Sequence, residues 1–139
     1  MIKVIRAKLH GLRVTGCDLN YHGCITLDPL LCRQAGIYPL EFVDIWNKNN
    51  GKHLSTYVMF GPEGSRCCVL NGAPARSFQL GDEISIRAVE YLDSPAELPS
   101  IKPRVLVFGA GNRTIESLQY AVTVNDQQGL ALSISSLEE

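Results

Sequence analysis

Gly23 and Cys24, inside the stretch LNYHGCITLD at residues 19–28, join a residue with no side chain to a thiol. A nucleophile one atom beyond Cβ can reach its own upstream carbonyl through a five-membered ring. Attack there converts the peptide bond into a thioester. Glycine suits the upstream side, because the missing Cβ leaves the carbonyl uncrowded and admits unusual backbone angles. The reacting species is the thiolate, and an ordinary cysteine thiol is only a few per cent ionised at neutral pH. A β-rich domain also uses cysteine as a small buried apolar side chain. The Gly23-Cys24 bond is therefore a candidate for self-processing, and its surroundings must decide between the two roles.

The chain has 139 residues, the size of one domain. A formal net charge of -1 argues against a dedicated nucleic-acid surface, although a single pocket can still bind a small anion. No apolar run approaches the roughly 18 to 20 residues that span a bilayer. Lys3, Arg6, Lys8 and Arg13 interrupt the apolar residues of the N-terminal stretch, which predicts a strand and not an export signal. Cys17, Cys24, Cys32, Cys67 and Cys68 contain no C-x-x-C pair, so they predict neither a metal site nor a disulfide framework. Reduced thiols and a cytoplasmic location are the expectation.

The elements that must position these groups are mostly short strands. KVIRAKLHGLRVT (3–15) alternates apolar and polar residues as a half-buried strand does. CITLD (24–28) is a second run. DPLLCRQAG (28–36) predicts one short helix, with Asp28 as N-cap, Pro29 at its first position and Gly36 at its exit. EFVDIWN (41–47) and HLSTYVMF (53–60) flank KNNGK, whose Asn50-Gly51 pair predicts a tight hairpin turn with positive φ. SRCCVLNG (65–72), LGDEISIRAVEYL (80–92) and KPRVLVFG (102–109) are further strands. SPAELPS (94–100) can form at most a helical turn. Many short strands with glycine-rich turns predict a small barrel, which closes its own edges. Beyond about residue 113 the pattern weakens. LQYAVTVNDQQGLALSIS predicts a hairpin or a loosely held tail, and SSLEE a frayed end.

The ordered set AKLHGLRVTGCDLNYHGCITLD, DIWNKNNGKHLSTYV, GSRCCVLNGAPAR and GDEISI resembles the pyruvoyl-dependent aspartate 1-decarboxylase family, from residue 1 to about residue 112. The resemblance implies a six-stranded double-psi β-barrel over residues 1–113, with one or two short helices, followed by a C-terminal extension at 114–139. It implies a homotetramer with active sites between neighbouring subunits and an amino-acid substrate, with no nucleic-acid or membrane partner. The activity implied is decarboxylation of L-aspartate to β-alanine for pantothenate synthesis. The precursor would cut itself after Gly23, and residue 24 would become a covalently bound pyruvoyl group. By the same resemblance Thr56 contacts the carbonyl before the scissile bond, Tyr57 donates a proton, and Tyr21 precedes the cut. Asn71, Gly72 and Ala73 line the pyruvoyl pocket, Lys8 attracts a substrate carboxylate, and His10 and Trp46 stand at its walls. No metal or nicotinamide is implied. Because adjacent strand residues face opposite sides, Thr56 and Tyr57 reach one site only where the barrel rim bends.

Two positions depart from the family pattern. Residue 24 is cysteine where the family has serine. The thioester can then eliminate to dehydroalanine and on to pyruvoyl, or hydrolyse to a plain N-terminal cysteine, or never form. Residue 53 is histidine where the family has arginine. Arginine offers a planar, permanently charged fork, whereas histidine carries its charge only in part at neutral pH. Loss of the bidentate pair should weaken recognition of aspartate by about tenfold or more. Three readings follow: a pyruvoyl decarboxylase of aspartate or a related amino acid, an uncleaved barrel acting as a binding or structural module, and an enzyme that uses the Cys24 thiol itself.

Overall fold

Among the described residues, ten strands and one α-helix follow one another as β1 (Ile2–Arg13), β2 (Gly16–Asp18), β3 (Cys24–Leu27), α1 (Pro29–Ala35), β4 (Phe42–Asn47), β5 (His53–Phe60), β6 (Cys68–Asn71), β7 (Glu83–Leu92), β8 (Arg104–Phe108), β9 (Thr114–Val124) and β10 (Leu130–Ser136). Short 3-10 turns occupy Ala73–Ser77, Pro95–Ser100 and Ala110–Asn112. The computed structural model describes residues 1–19, 24–127 and 129–137. The protein is mainly β, as the alternation predicts. Among the described residues no helix is long and apolar enough to cross a membrane.

The strands form one sheet in the order β10-β9-β8-β1-β7-β4-β5-β3-β6-β2. The pairs β1/β8, β3/β5 and β2/β6 are parallel and the others antiparallel. Only Val14 and Thr15 separate β1, in the middle of that order, from β2 at its end. The sheet must therefore curl back on itself. The Thr15 N–H donates to the Cys68 carbonyl at 2.7 Å, and the Val14 N–H donates to that of Asp82 at 2.9 Å. Leu9, Ile25, Ile45, Val58, Ile86 and Leu106 fill the interior at 0 % exposure. Their strand neighbours Lys8, Trp46, Tyr57 and Arg87 are left on the other side.

β1 does not run straight. Its register against β7 shifts between Ile5 and Ala7 and again between His10 and Leu12. At the second shift Gly11 adopts φ 82°, and a Cβ there would lie 3.2 Å from the Phe108 carbonyl oxygen. The bulge needs glycine on both counts.

Several local expectations change in detail. The loop after β4 is longer than a two-residue turn, since the Asn47 N–H bonds the Lys52 carbonyl and only Gly51, at φ 75°, is left-handed there. The strand within SRCCVLNG starts only at Cys68, because Arg66 has φ 58° and leaves extended geometry. The C-terminal segment is a hairpin: β9 pairs with β10 antiparallel and also with β8. The end does not fray at Ser135 and Ser136, which pair with Gln119 and Leu118, and the Leu137 N–H donates to the Ser117 carbonyl at 2.7 Å. Glu138 and Glu139 lie outside the described residues.

α1 begins and ends as its sequence predicts. Asp28 caps it by accepting from the Leu30 N–H at 2.9 Å, and Gly36 closes it at φ 83°. The buried Asp28 carboxylate also accepts from the Gly64 N–H at 3.0 Å and the Arg66 N–H at 2.9 Å. Burial alone would raise this carboxyl. The three N–H donors and the nearby Arg33 charge outweigh it and hold the group below the usual aspartate range. The stability it contributes is therefore full above the unfolded-state pKa of about 3.9 and is lost as pH falls through the lower folded value. Asp28→Ala should cost about 3 kcal/mol at neutral pH, from the lost cap and the orphaned donors. Denaturant titrations should show that difference shrinking below about pH 4.

Candidate active site

Cys24 opens β3, and the burial alternation of that strand sets its direction. Ile25 and Leu27 turn into the core, which leaves Cys24 and Thr26 on the opposite side. Cys24 is nonetheless 1 % exposed. Its cross-strand partner is Asn71, the last residue of β6. Asn71 Nδ2 lies 3.2 Å from Cys24 Sγ and 3.0 Å from Thr26 Oγ1, so one buried amide donates to both. Gly72 follows at φ 70°, ψ -145°, a conformation open only to glycine. Its N–H donates to the Asp18 carbonyl at 2.7 Å, and its carbonyl accepts from the Ala75 N–H at 3.0 Å. The chain thereby turns sharply and leaves Ala73 exposed at the head of a 3-10 turn. Gly23 and Tyr21 lie outside the described residues.

β5 runs parallel to β3, with Ile25 opposite Val58, so the start of β3 lies against the stretch holding Thr56 and Tyr57. Val58 and Thr56 are buried on the core side. Tyr57 is half-buried on the other side, its ring 5.9 Å from that of Phe42 and tilted by 54°. Regular alternation holds through this stretch, so Tyr57 shares a face with Cys24 and the Thr56 side chain does not.

The remaining candidates gather on the outer face of β1, β7, β4 and the start of β5. The register pairs Lys8 with Arg87, His10 with Ser85, Ser85 with Trp46, Arg87 with Asp44, and Trp46 with His53. The Trp46 and His53 rings stack at 4.0 Å with 21° between their planes, and the Arg87 guanidinium lies 5.2 Å from the Trp46 ring centre. His53 Nε2 is 3.8 Å from Asp44 Oδ1. Two cavities open here. One of about 390 Å³ is bordered by Lys3, Lys8, Asp44, Trp46, Arg87 and Tyr120. The other, about 250 Å³, is bordered by Lys8, His10, Trp46, Ser85 and Arg87. Burial, and then the Arg87 charge, push Lys8 below the usual lysine range. Burial first and the Lys8 charge next push His10 down as well; Lys48 and Arg87 add to this, and Glu83 partly opposes it. The face thus has a surplus of positive charge, which suits an anion.

The sequence-predicted residues fall into two groups. Cys24, Tyr57, Asn71, Gly72 and Ala73 lie around the start of β3. Lys8, His10, Trp46 and His53 lie farther along the same outer face, on β1, β4 and the start of β5. From His53 to Tyr57 the span along β5 is about 13 Å at strand rise. Arg87 and Ser85 were not among the sequence candidates. The alternation of EISIRAV already places both on the polar side of β7, but only the pairing of β7 between β1 and β4 shows them lying between Lys8 and Trp46.

The sequence model described as aspartate decarboxylase matches residues 1–115. An aspartate 1-decarboxylase of Rhodospirillum centenum is 63 % identical over 122 residues, covering 88 % of this chain and 80 % of the relative. One from Paramagnetospirillum magneticum is 58 % identical over 128 residues, covering 92 % and 71 %. The aspartate 1-decarboxylase 2 of Mesorhizobium japonicum is 49 % identical over 134 residues, covering 96 % and 89 %. With a family match over most of its length and relatives this similar, the chain belongs to the aspartate decarboxylase family.

Proposed function

We propose that this protein removes the α-carboxyl of L-aspartate to give β-alanine, a pantothenate precursor, with a pyruvoyl group made from its own Cys24. The observation that carries the reading is the burial of Cys24 at the first position of β3, with Asn71 Nδ2 3.2 Å from its sulfur, in a chain of this family. The names of the relatives favour a decarboxylase over an uncleaved binding module.

Maturation begins when the Cys24 thiol adds to the Gly23 carbonyl carbon and the carbon–nitrogen bond breaks, giving a thioester. Asn71, which already donates to Sγ, stabilises the developing thiolate. Thr56, the oxyanion donor the resemblance implies, sits on the strand parallel to β3 but turns its side chain to the core, so the donor role at this carbonyl is left to a group nearer the cut. Loss of the Cα proton and of the Cβ–Sγ bond then releases the upstream fragment as a thiocarboxylate. The dehydroalanine left behind tautomerises, takes up water and loses ammonia.

The site fits the group so made. Loss of the sulfur frees the buried Asn71 amide to donate to an oxygen acceptor at the start of β3, and Gly72 and Ala73 border that space without bulk. A pyruvoyl group supplies an electrophilic ketone and an electron sink for loss of carbon dioxide. Tyr57 is on the same face as Cys24 and is suited to return a proton to the substrate α-carbon. Lys8 holds a carboxylate, with His10 and Trp46 as walls. His53 is stacked on Trp46 and turned to Asp44, so it contributes little reach of its own.

The separation of about 13 Å along β5 from His53 to Tyr57 supports a site shared between copies, as in the homotetramer the family resemblance implies, with the face bearing Lys8 meeting the Cys24 region of a neighbour. The parallel pairs β1/β8 and β3/β5, and the return of β2 onto β6, support a six-stranded double-psi β-barrel as the centre of the sheet, with residues 114–139 as its extension. The five free thiols suit the cytoplasm. To test the reading, matured full-length protein is given L-aspartate, and β-alanine is measured alongside intact mass. Two fragments and β-alanine are expected; fully cut protein that forms no β-alanine overturns it.

A further inference from the structure

If the substrate is aspartate, one carboxylate leaves and the other must be held. The obvious holder on the outer face would be any cation lacking an anionic partner there. Glu83 is taken: its carboxylate is 2.9 Å from Lys48 Nζ and 3.3 Å from Arg13 Nη2. Asp44, directly across from Arg87 in the strand register, lies instead within 3.8 Å of His53. Among the described residues neither Lys8 nor Arg87 forms an ion pair. Arg87 Nε is buried with no hydrogen-bond partner, and so is Ser85 Oγ, two positions before it on the same strand face. Buried unpaired donors are rare, because each forfeits its solvation for nothing. These two donors, with the Lys8 ammonium also lacking an ion pair in the same cavity wall, describe a site that suits an anion.

We propose that Arg87 is the specificity-determining residue of this protein: its guanidinium, with Lys8 beside it and Ser85 Oγ as a further donor, grips the side-chain carboxylate of a dicarboxylic amino acid. The proposal rests on the decarboxylase reading for the identity of that substrate. Arg87 is suited to the task by geometry. The Trp46 ring centre lies 5.2 Å from the guanidinium carbon and restrains its plane, and a carboxylate in the cavity could take the fork in two parallel bonds, the Nε–H having no other partner among the described residues. Arg87 also borders both cavities, as do Lys8 and Trp46. Burial and then the Arg87 charge lower Lys8, and a carboxylate entering beside the two cations would offset the second of these. His53 has no comparable freedom, since its ring is stacked and its Nε2 faces Asp44.

The test is calorimetric binding of succinate, a dicarboxylate with no amine, to matured full-length protein. Parent, Arg87→Gln and Arg87→Lys are compared, with folding checked by thermal melting. The glutamine variant removes the charge and the lysine variant removes the fork. Each is expected to raise the succinate Kd at least fivefold. For aspartate turnover, Arg87→Gln should raise KM by at least the same factor while kcat changes less than about threefold, a split that a general loss of structure does not produce. A folded variant that binds succinate within fivefold of the parent overturns the assignment. The two readings fail separately. Cut protein that forms no β-alanine, yet binds succinate through Arg87, refutes the decarboxylase reading and leaves the anion site. β-Alanine formation with unchanged succinate affinity in both variants refutes the Arg87 site and leaves the decarboxylase.

Discussion

Cys24→Ala is expected to yield a single uncut chain that forms no β-alanine above background. Alanine has no nucleophile to turn on the Gly23 carbonyl, and no leaving group at Cβ from which dehydroalanine could arise. The fold should survive, because a methyl group in place of a 1 %-exposed thiol leaves a small cavity costing about 1 kcal/mol. Intact mass under denaturing conditions decides the outcome. The parent should give two fragments, with the larger lighter than one beginning at an intact cysteine and reactive toward a ketone-trapping amine. Cys24→Ser separates this route from direct thiol catalysis. Its hydroxyl is the weaker nucleophile, so cutting is slower. Yet the ester eliminates to the same dehydroalanine, so the matured serine variant should recover the parent's turnover. A fully cut serine variant that is inactive would instead point to the thiol as the working group, and an N-terminal cysteine on the parent's larger fragment would do the same.

Tyr57→Phe should separate maturation from turnover. The phenol stands on the β5 position beside the start of β3 and shares a face with Cys24, whereas the proposed cut uses Cys24 and Asn71. The variant should therefore mature fully and lose about 10²- to 10⁴-fold in kcat, the usual weight of a positioned acid, with KM within a few-fold of the parent. Phenylalanine keeps the ring contact with Phe42 at 5.9 Å, so the melting temperature should hold. An uncut Tyr57→Phe chain would move this residue into the maturation step, and unchanged kcat would remove it from the chemistry.

Local chemistry made much of the fold legible beforehand. Asp28, Pro29 and Gly36 delimit α1 because capping and left-handed exit depend only on neighbours a few residues away. Alternation located β1, β4, β5 and β7, since each sets one face on the core and leaves the other polar. Strand order was not legible. β1 pairs with β7 and β8 from the far part of the chain, and nothing near Lys8 names Arg87 as its neighbour. The candidate site divides along the same line. Cys24, Asn71 and Gly72 are named through the resemblance to the family, which reads an ordered set of motifs along the chain. The engagement of His53 by Trp46 and Asp44, and the lack of an ion pair on Arg87 among the described residues, exist only once three strands are in register. The histidine at position 53 read in isolation as a lost anchor. Beside Arg87 it reads as a residue relieved of that duty.

The central place of β1 has a further consequence for the cut protein. β1 lies between β8 and β7, and the proposed cut after Gly23 would place β1 and β2 together on the shorter fragment. Severing the chain there leaves a short peptide as the middle plank of a sheet built by the longer one. Folding must precede cutting, and a molecule denatured afterwards has to find its missing plank by collision, in competition with every open edge in solution. Protein cut there would be held together by the slowness of its opening more than by any easy route home.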